Sequence, residues 1–155
     1  MLNQIEISQA NWGGESHLID RWLAARKRLL VLFCELSGLT SSSQKQKPLP
    51  SEEQTLSFCE ALVDYVSTGH FEVYDHMLDA LAADAHTQKK CQNILPELSQ
   101  STDDALAFND MFTSENPNWK TFDTALSMLG QSMEQRFGLE DILIQALYEL
   151  SVEQS

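Results

Sequence analysis

Apolar residues recur at steps of three and four along most of this 155-residue chain, which is the spacing of one face of an α-helix. The sequence contains no convincing strand pattern, no internal repeat and no low-complexity tract. A chain of this length can bury a core without a metal or a disulfide. We therefore predict a single all-α domain over residues 1–155, an antiparallel helical bundle of four long helices with one or two breaks.

The first helix is predicted from about Ser16 to Ser37, with Gly38 as its end signal. Its apolar stripe is expected at Leu18, Trp22, Ala25, Leu29, Phe33 and Leu36. Three serines, two lysines and two prolines lie between Ser41 and Pro50. Such a composition is typical of a mobile connection between helices.

The second helix is predicted to begin at Ser51, where Ser-Glu-Glu-Gln matches a capping box. Gly69 is expected to end it, and a third helix to begin at once, so that the two form a tight hairpin or corner. The apolar stripe of the second helix is expected at Leu56, Cys59, Leu62, Val63 and Val66, and that of the third at Phe71, Tyr74, Met77, Leu78 and Leu81.

A fourth helical region is predicted from about Thr87 to Phe112, and Pro96 within it predicts a kink or a join between two helices. An Asn-Pro-Asn sequence at 116–118 marks the next break. The last region extends to about residue 150, with Gly138 as a candidate division. Its expected buried residues are Phe122, Leu126, Leu129, Met133, Phe137, Ile142, Leu143, Ala146 and Leu150.

The charge is distributed unevenly. Residues 1–47 hold six basic and four acidic side chains, a balance of +2. Because the net charge of the whole chain is −13, residues 48–155 have a net charge of −15. From Pro48 to Gln88 there are eight Asp or Glu and no Lys or Arg. Such a surface repels nucleic acid and attracts a cationic protein, although acidity also serves solubility alone. The basic run Arg26-Lys27-Arg28 is expected to pair with the chain's own carboxylates.

Three cysteines, Cys34, Cys59 and Cys91, are widely spaced among apolar neighbours. Their odd number and setting favour reduced core residues over a disulfide framework. The first residues show no basic segment followed by an apolar run, and no window approaches the ~18 apolar residues of a membrane span. We therefore expect a cytoplasmic protein without a membrane partner.

Signatures of catalysis are absent from the sequence, which has no glycine-rich phosphate loop, His-Glu-x-x-His, Cys-x-x-Cys or nucleophile elbow. None of the four histidines has Asp or Glu three residues upstream, the spacing that a di-metal carboxylate site uses. The pairs Glu60–Asp64 and Glu72–His76 could share acid–base work, but such pairs are common on solvated helix faces. We predict no enzyme, catalytic residue, metal site or cofactor.

The segment 62–75 combines three aromatic side chains, a glycine, a histidine and three carboxylates without any Lys or Arg. This composition predicts a contact surface for a basic partner. Within it, Asp64 lies off the predicted apolar stripe, because Leu62, Val63 and Val66 occupy that stripe. Asp64 is therefore expected to be exposed.

Several stretches resemble the Rsd/AlgQ family, the regulators of sigma D. They read DRWLAARKRLLV at 20–31, LVDY at 62–65 with Ser67 and GHF at 69–71, YD at 74–75, and RF at 136–137 followed by LED at 139–141 and LI at 143–144. The resemblance spans nearly the whole chain and includes its opening MLNQ. It implies an all-helical, monomeric anti-sigma factor of the cytoplasm that regulates transcription, as in stationary phase.

The implied partner is region 4 of the housekeeping sigma-70 subunit of RNA polymerase, a basic helix-turn-helix domain that reads the −35 promoter element. Sequestering it would lower sigma-70-dependent transcription and favour alternative sigma factors, with no direct contact to nucleic acid. An alternative is an adaptor that regulates a metabolic or stress-response enzyme. By position, the sigma-contacting acidic residue of the family falls on Asp64. The resemblance would complete the surface with Tyr65, His70, Glu72, Tyr74 and Asp75, and with Asp20 and Arg21 of the first helix.

Overall fold

The structure, a computed structural model, describes residues 17–38 and 51–154, and every regular element in these ranges is helical. In chain order they are α1 (His17–Ser37), α2 (Glu52–Thr68), a π-helix (Gly69–Val73), α3 (Tyr74–Ala80), α4 (Ala85–Gln92), α5 (Leu95–Phe112), a 3-10 turn (Trp119–Thr121) and α6 (Phe122–Gln154). Helix α1 packs on α2, α2 on α5, and α5 on α6. The predicted all-α helical bundle is confirmed, whereas the 41–50 connection lies outside the described residues.

Two helix boundaries follow from local signals that the sequence carries. Helix α1 ends at Ser37, and Gly38 adopts a positive φ of 73° that suits glycine. At the start of α2 the Gln54 amide donates to Ser51 Oγ at 3.1 Å, and the Ser51 amide donates to Gln54 Oε1 at 3.0 Å. The predicted end of α1 and the predicted capping box are both confirmed.

The prediction that Gly69 ends the second helix is wrong. Gly69 has helical angles, φ −58° and ψ −53°, and its amide donates to the carbonyl groups of Tyr65 and Val66. The chain continues through the five-residue π-helix, in which the Tyr74 amide donates to the Gly69 carbonyl, and enters α3 without a turn. Residues 52–80 therefore form one helical run rather than a hairpin or corner.

The π-helix adds one residue to the run and shifts its buried face. A regular α-helix repeats its face after about 18 residues, so Leu62 and Ala80 would lie on the same side. Instead Ala80 is exposed and Leu81 is fully buried. Two predictions of burial in this run are wrong, because Leu56 is 41% exposed and Phe71 is 72% exposed.

The second half of the chain is close to its prediction. Pro96 lies in the first turn of α5 and Gln92 ends α4, so the predicted join is confirmed. Gly138 does not divide the last region, because α6 runs without interruption to Gln154. The prediction of a buried Ile142 is wrong, since its side chain is 47% exposed.

The three cysteines are free thiols, as predicted. Cys59 and Cys91 are buried and Cys34 is half-buried. Burial raises the pKa of the Cys59 thiol to about 11, so at neutral pH it is an inert apolar group of the core. None of the described helices is long and apolar enough to cross a membrane.

Candidate functional site

A buried carboxylate, Glu140 of α6, lies at the centre of a polar cluster inside the bundle. Its Oε1 accepts a hydrogen bond from Tyr65 Oη at 2.5 Å and one from Arg26 Nη2 at 3.1 Å. Its Oε2 accepts one from Tyr74 Oη at 2.6 Å and one from Arg136 Nε at 3.1 Å. We call these five residues the Glu140 cluster. The carboxylate therefore accepts four hydrogen bonds, and a fully buried charge requires such partners.

The two arginines of the Glu140 cluster are fully buried and balance its negative charge. Arg26 also donates to Asp141 Oδ1 at 2.7 Å, so two guanidinium groups meet two carboxylates. The prediction that the basic run pairs internally is confirmed for Arg26. A buried network of this kind is stable only when each charge has its partners, because removing one leaves another unpaired.

Arg136 connects the cluster to a fourth long helix, α5. Its Nη1 donates to Thr102 Oγ1 at 2.7 Å and to Ser101 Oγ at 3.1 Å, both on α5. Its Nη2 donates to the Val66 carbonyl of α2 at 3.2 Å. One side chain of α6 is therefore bonded to the two neighbouring helices of the bundle.

Gly69 is required by this packing rather than by a helix end. A Cβ at Gly69 would lie 3.0 Å from Arg136 Nη2, 3.2 Å from Tyr74 Oη and 3.3 Å from Trp22 Nε1. Trp22 itself stacks on Tyr65, with ring centroids 5.5 Å apart, and meets Tyr74 edge-on at 6.2 Å. Trp22 is therefore a packing residue, as predicted, and a larger residue 69 would push the cluster apart.

The opposite side of the 52–80 run carries exposed carboxylates. We define the acidic face as Glu60, Asp64, Glu72, Asp75 and Asp79, all of which are exposed. Asp64 has the predicted exposure, because its neighbours Leu62, Tyr65 and Val66 occupy the buried side. In the sequence Phe71 lies between Asp64 and Glu72, its side chain is exposed, and the His70 ring packs edge-on against it at 4.9 Å. The face thus combines negative charge with one exposed aromatic ring.

The predicted site residues fall into three sets, which are surface residues of the 52–80 run, buried residues of the same run, and two residues of α1. Asp64, His70, Glu72 and Asp75 lie on the 52–80 run and reach its surface. Tyr65 and Tyr74 belong to the same run but are 0% and 3% exposed, so the structure contradicts a direct contact of either with a partner. Their hydroxyl groups are turned inward by Glu140. In the first turn of α1, Asp20 is half-buried and Arg21 is exposed.

Sequence reasoning missed Arg136 and Glu140 as interior residues. Both lie on the buried side of α6, near Met133 and Phe137, and they are four residues apart. A signal was present, because charged residues at core spacing that are separated by one helical turn can pair within the interior. Arg26 carries the same signal, since it lies between Trp22 and Leu29 on the stripe of α1.

The exposed pairs Glu60–Asp64 and Glu72–His76 have the surface location that the sequence favoured. Among the described residues, no group of three or more His, Cys, Asp and Glu side chains is placed to hold a metal ion. The two candidate features of the structure are the buried Glu140 cluster and the exposed acidic face of the 52–80 run.

Comparison with known proteins finds a family model described as "Regulator of RNA polymerase sigma(70) subunit, Rsd/AlgQ", which matches residues 1–148. The chain is 38% identical over 149 residues to a regulator of sigma D from Yersinia enterocolitica, covering 94% of the chain and 89% of that protein. It is 39% identical to the Yersinia pestis protein, with 94% and 88% covered. A Pectobacterium carotovorum relative of the same name is 37% identical, with 96% and 99% covered.

We expect Gly69→Ala to destabilise the fold by about 1–3 kcal/mol, because the added methyl group overpacks the Glu140 cluster. The matched control is Gly138→Ala, since a Cβ at Gly138 meets nothing within 4 Å. Alanine favours a helix interior, so the control should stabilise by roughly 0.5–1 kcal/mol. Urea unfolding measures both changes, and equal effects at the two sites would contradict the packing role of Gly69.

We expect the fold to lose stability at alkaline pH through Tyr65 and Tyr74. Burial, followed by the charge of Glu140, raises the pKa of both phenols above the usual value of 10.0. Their stabilising contribution is therefore complete below pH ~10 and falls above it by ~1.4 kcal/mol per pH unit for each tyrosine, since only the unfolded chain ionises them. Tyrosinate absorbance of the folded chain at pH ~10.5 should show that Tyr65 and Tyr74 are still protonated.

Proposed function

The chain belongs to the Rsd/AlgQ family of regulators of the RNA polymerase sigma-70 subunit, and on this premise we propose that it binds region 4 of sigma-70 through the acidic face. The observation that carries the proposal is the set of exposed carboxylates on the 52–80 run, where no Lys or Arg is present to neutralise them. Region 4 is a basic helix-turn-helix domain, so the two surfaces are complementary in charge.

Such an interaction would compete directly with promoter binding. The basic side chains of a helix-turn-helix domain contact DNA phosphates and base edges, and carboxylates can occupy the same positions. A chain bound there would withhold sigma-70 from promoters and favour alternative sigma factors. We further propose that the chain acts as a monomer in the cytoplasm, where RNA polymerase works, and that it makes no direct contact with nucleic acid.

The acidic face also offers an apolar anchor. Phe71 is 72% exposed, although it is a large aromatic residue, and it lies beside Glu72 on the surface. In protein interfaces a central aromatic side chain commonly supplies much of the binding energy, while surrounding charges set orientation and on-rate. We assign Phe71 to an apolar pocket of the partner and the flanking carboxylates to its basic side chains.

We expect Asp64→Ala to weaken binding to isolated region 4 by about 1–3 kcal/mol, because it removes a charge-assisted contact at the interface. The melting temperature should stay nearly unchanged, since Asp64 is exposed. Titration calorimetry with purified region 4 measures the affinity. Glu134→Ala removes an exposed carboxylate from α6 instead and should leave affinity unaltered. A wild-type affinity in the Asp64 variant, or its unfolding, would refute the assignment of this face.

We expect the affinity for region 4 to fall as salt is raised, because mobile ions screen surface charges beyond a Debye length of ~8 Å at physiological ionic strength. Part of the binding should survive high salt, since the contact of Phe71 is apolar. Titrations at low and high salt measure the effect. An affinity that does not change with salt would count against binding through the acidic face.

A further inference from the structure

Glu140 contacts the 52–80 run on both sides of the π-helix. Tyr65, which donates to Oε1, precedes the π-helix, and Tyr74, which donates to Oε2, follows it. One carboxylate thus joins two points of a helix that are separated by an irregular segment. The π-helix is rare, and short π segments within α-helices are frequently found at functional sites.

The two tyrosines are direct neighbours of the acidic face. Asp64 precedes Tyr65 and Asp75 follows Tyr74, and both aspartates are exposed while both tyrosines are buried. Because adjacent residues share a peptide unit, a tyrosine that is held by its hydroxyl restrains the helix backbone, and with it the direction of the Cα–Cβ bond of the neighbouring aspartate. The hydrogen bonds to Glu140 can therefore influence the positions of the two surface aspartates through the helix backbone.

The π-helix explains why the orientation of α3 relative to α2 needs to be held by other contacts. It contains one extra residue, so the part of the run beyond it is rotated relative to a regular helix, as the burial of Leu81 instead of Ala80 shows. The rotation of α3 sets where Asp75 points relative to Asp64. Helix α3 is the seven-residue end of the run, and its orientation relative to α2 depends on the irregular π-helix that joins them.

We propose that Glu140 is a positioning residue, which holds the two halves of the acidic face in register by accepting hydrogen bonds from Tyr65 and Tyr74. This inference rests on the proposed function of the acidic face. It assigns Tyr74 to the half that contains Asp75, and Tyr65 to the half that contains Asp64. The tyrosines thus influence the partner without contacting it.

A double-mutant cycle distinguishes positioning from general stabilisation. Affinity for isolated sigma-70 region 4 is measured for Asp75→Asn and for Asp64→Asn, each in the parent chain and in Tyr74→Phe. We expect Asp75→Asn to weaken binding at least about threefold more in the parent than in Tyr74→Phe, within the range of coupling for residues of one network. Asp64→Asn should cost the same in both backgrounds, because its own tyrosine is intact.

Tyr148→Phe is the matched control, since it removes a tyrosine hydroxyl from α6 in a half-buried position outside the Glu140 cluster. Asp75→Asn should cost as much in this background as in the parent. Additive effects of Asp75→Asn and Tyr74→Phe would overturn the positioning role. If neither aspartate variant weakens binding in the parent chain, the proposed function of the acidic face fails instead.

Two further measurements keep the inference testable if Tyr74→Phe folds poorly. The reciprocal variant Tyr65→Phe should reduce the cost of Asp64→Asn and leave that of Asp75→Asn unchanged. In the free chain, amide hydrogen exchange in Tyr74→Phe should accelerate at residues 71–76 and stay constant at 60–64. Equal acceleration over the whole run would indicate a structural role alone and overturn the proposal.

Discussion

The burial of one carboxylate, Glu140, is the constraint on which the rest of the structure depends. A carboxylate inside a bundle costs several kcal/mol unless it is paired and hydrogen-bonded, and it obtains its four donors from three separate helical stretches. Arg26 comes from α1, Tyr65 and Tyr74 come from the 52–80 run, and Arg136 comes from α6 itself. The donors can meet only when these helices pack in one arrangement, so the cluster selects that arrangement.

The same constraint decides which aromatic residues reach the surface. Tyr65 and Tyr74 have hydroxyl groups that can satisfy Glu140, so they turn inward and their rings pack on Trp22. Phe71 lies on the outer side of the run and is exposed, although it is apolar. The outer side consequently presents the carboxylates together with the Phe71 ring. The burial of Glu140 thus determines both which rings pack inside the bundle and which side chains remain on its surface.

The sequence was sufficient where a signal is local and insufficient where it depends on a distant residue. The capping box at Ser51 and the end of α1 at Gly38 depend only on neighbouring residues, and both were predicted. Asp64 was predicted to be exposed from the apolar residues on either side. Gly69 was misinterpreted because glycine serves equally at helix ends and at close approaches. The inward direction of Tyr65 depends on Glu140, which lies 75 residues away.

The separation of buried from exposed charge explains how a strongly acidic chain can fold and still offer a charged surface. Exposed carboxylates repel one another, and the segment from Pro48 to Gln88 has no base to relieve that repulsion. The fold must therefore be stabilised from within, where guanidinium groups are matched to carboxylates and rings fill the remaining space. Among the described residues, the fully buried charges of Arg26, Arg136 and Glu140 are paired, and the carboxylates of the acidic face are exposed. A cationic partner that covers the acidic face removes a repulsion that the folded chain cannot remove alone.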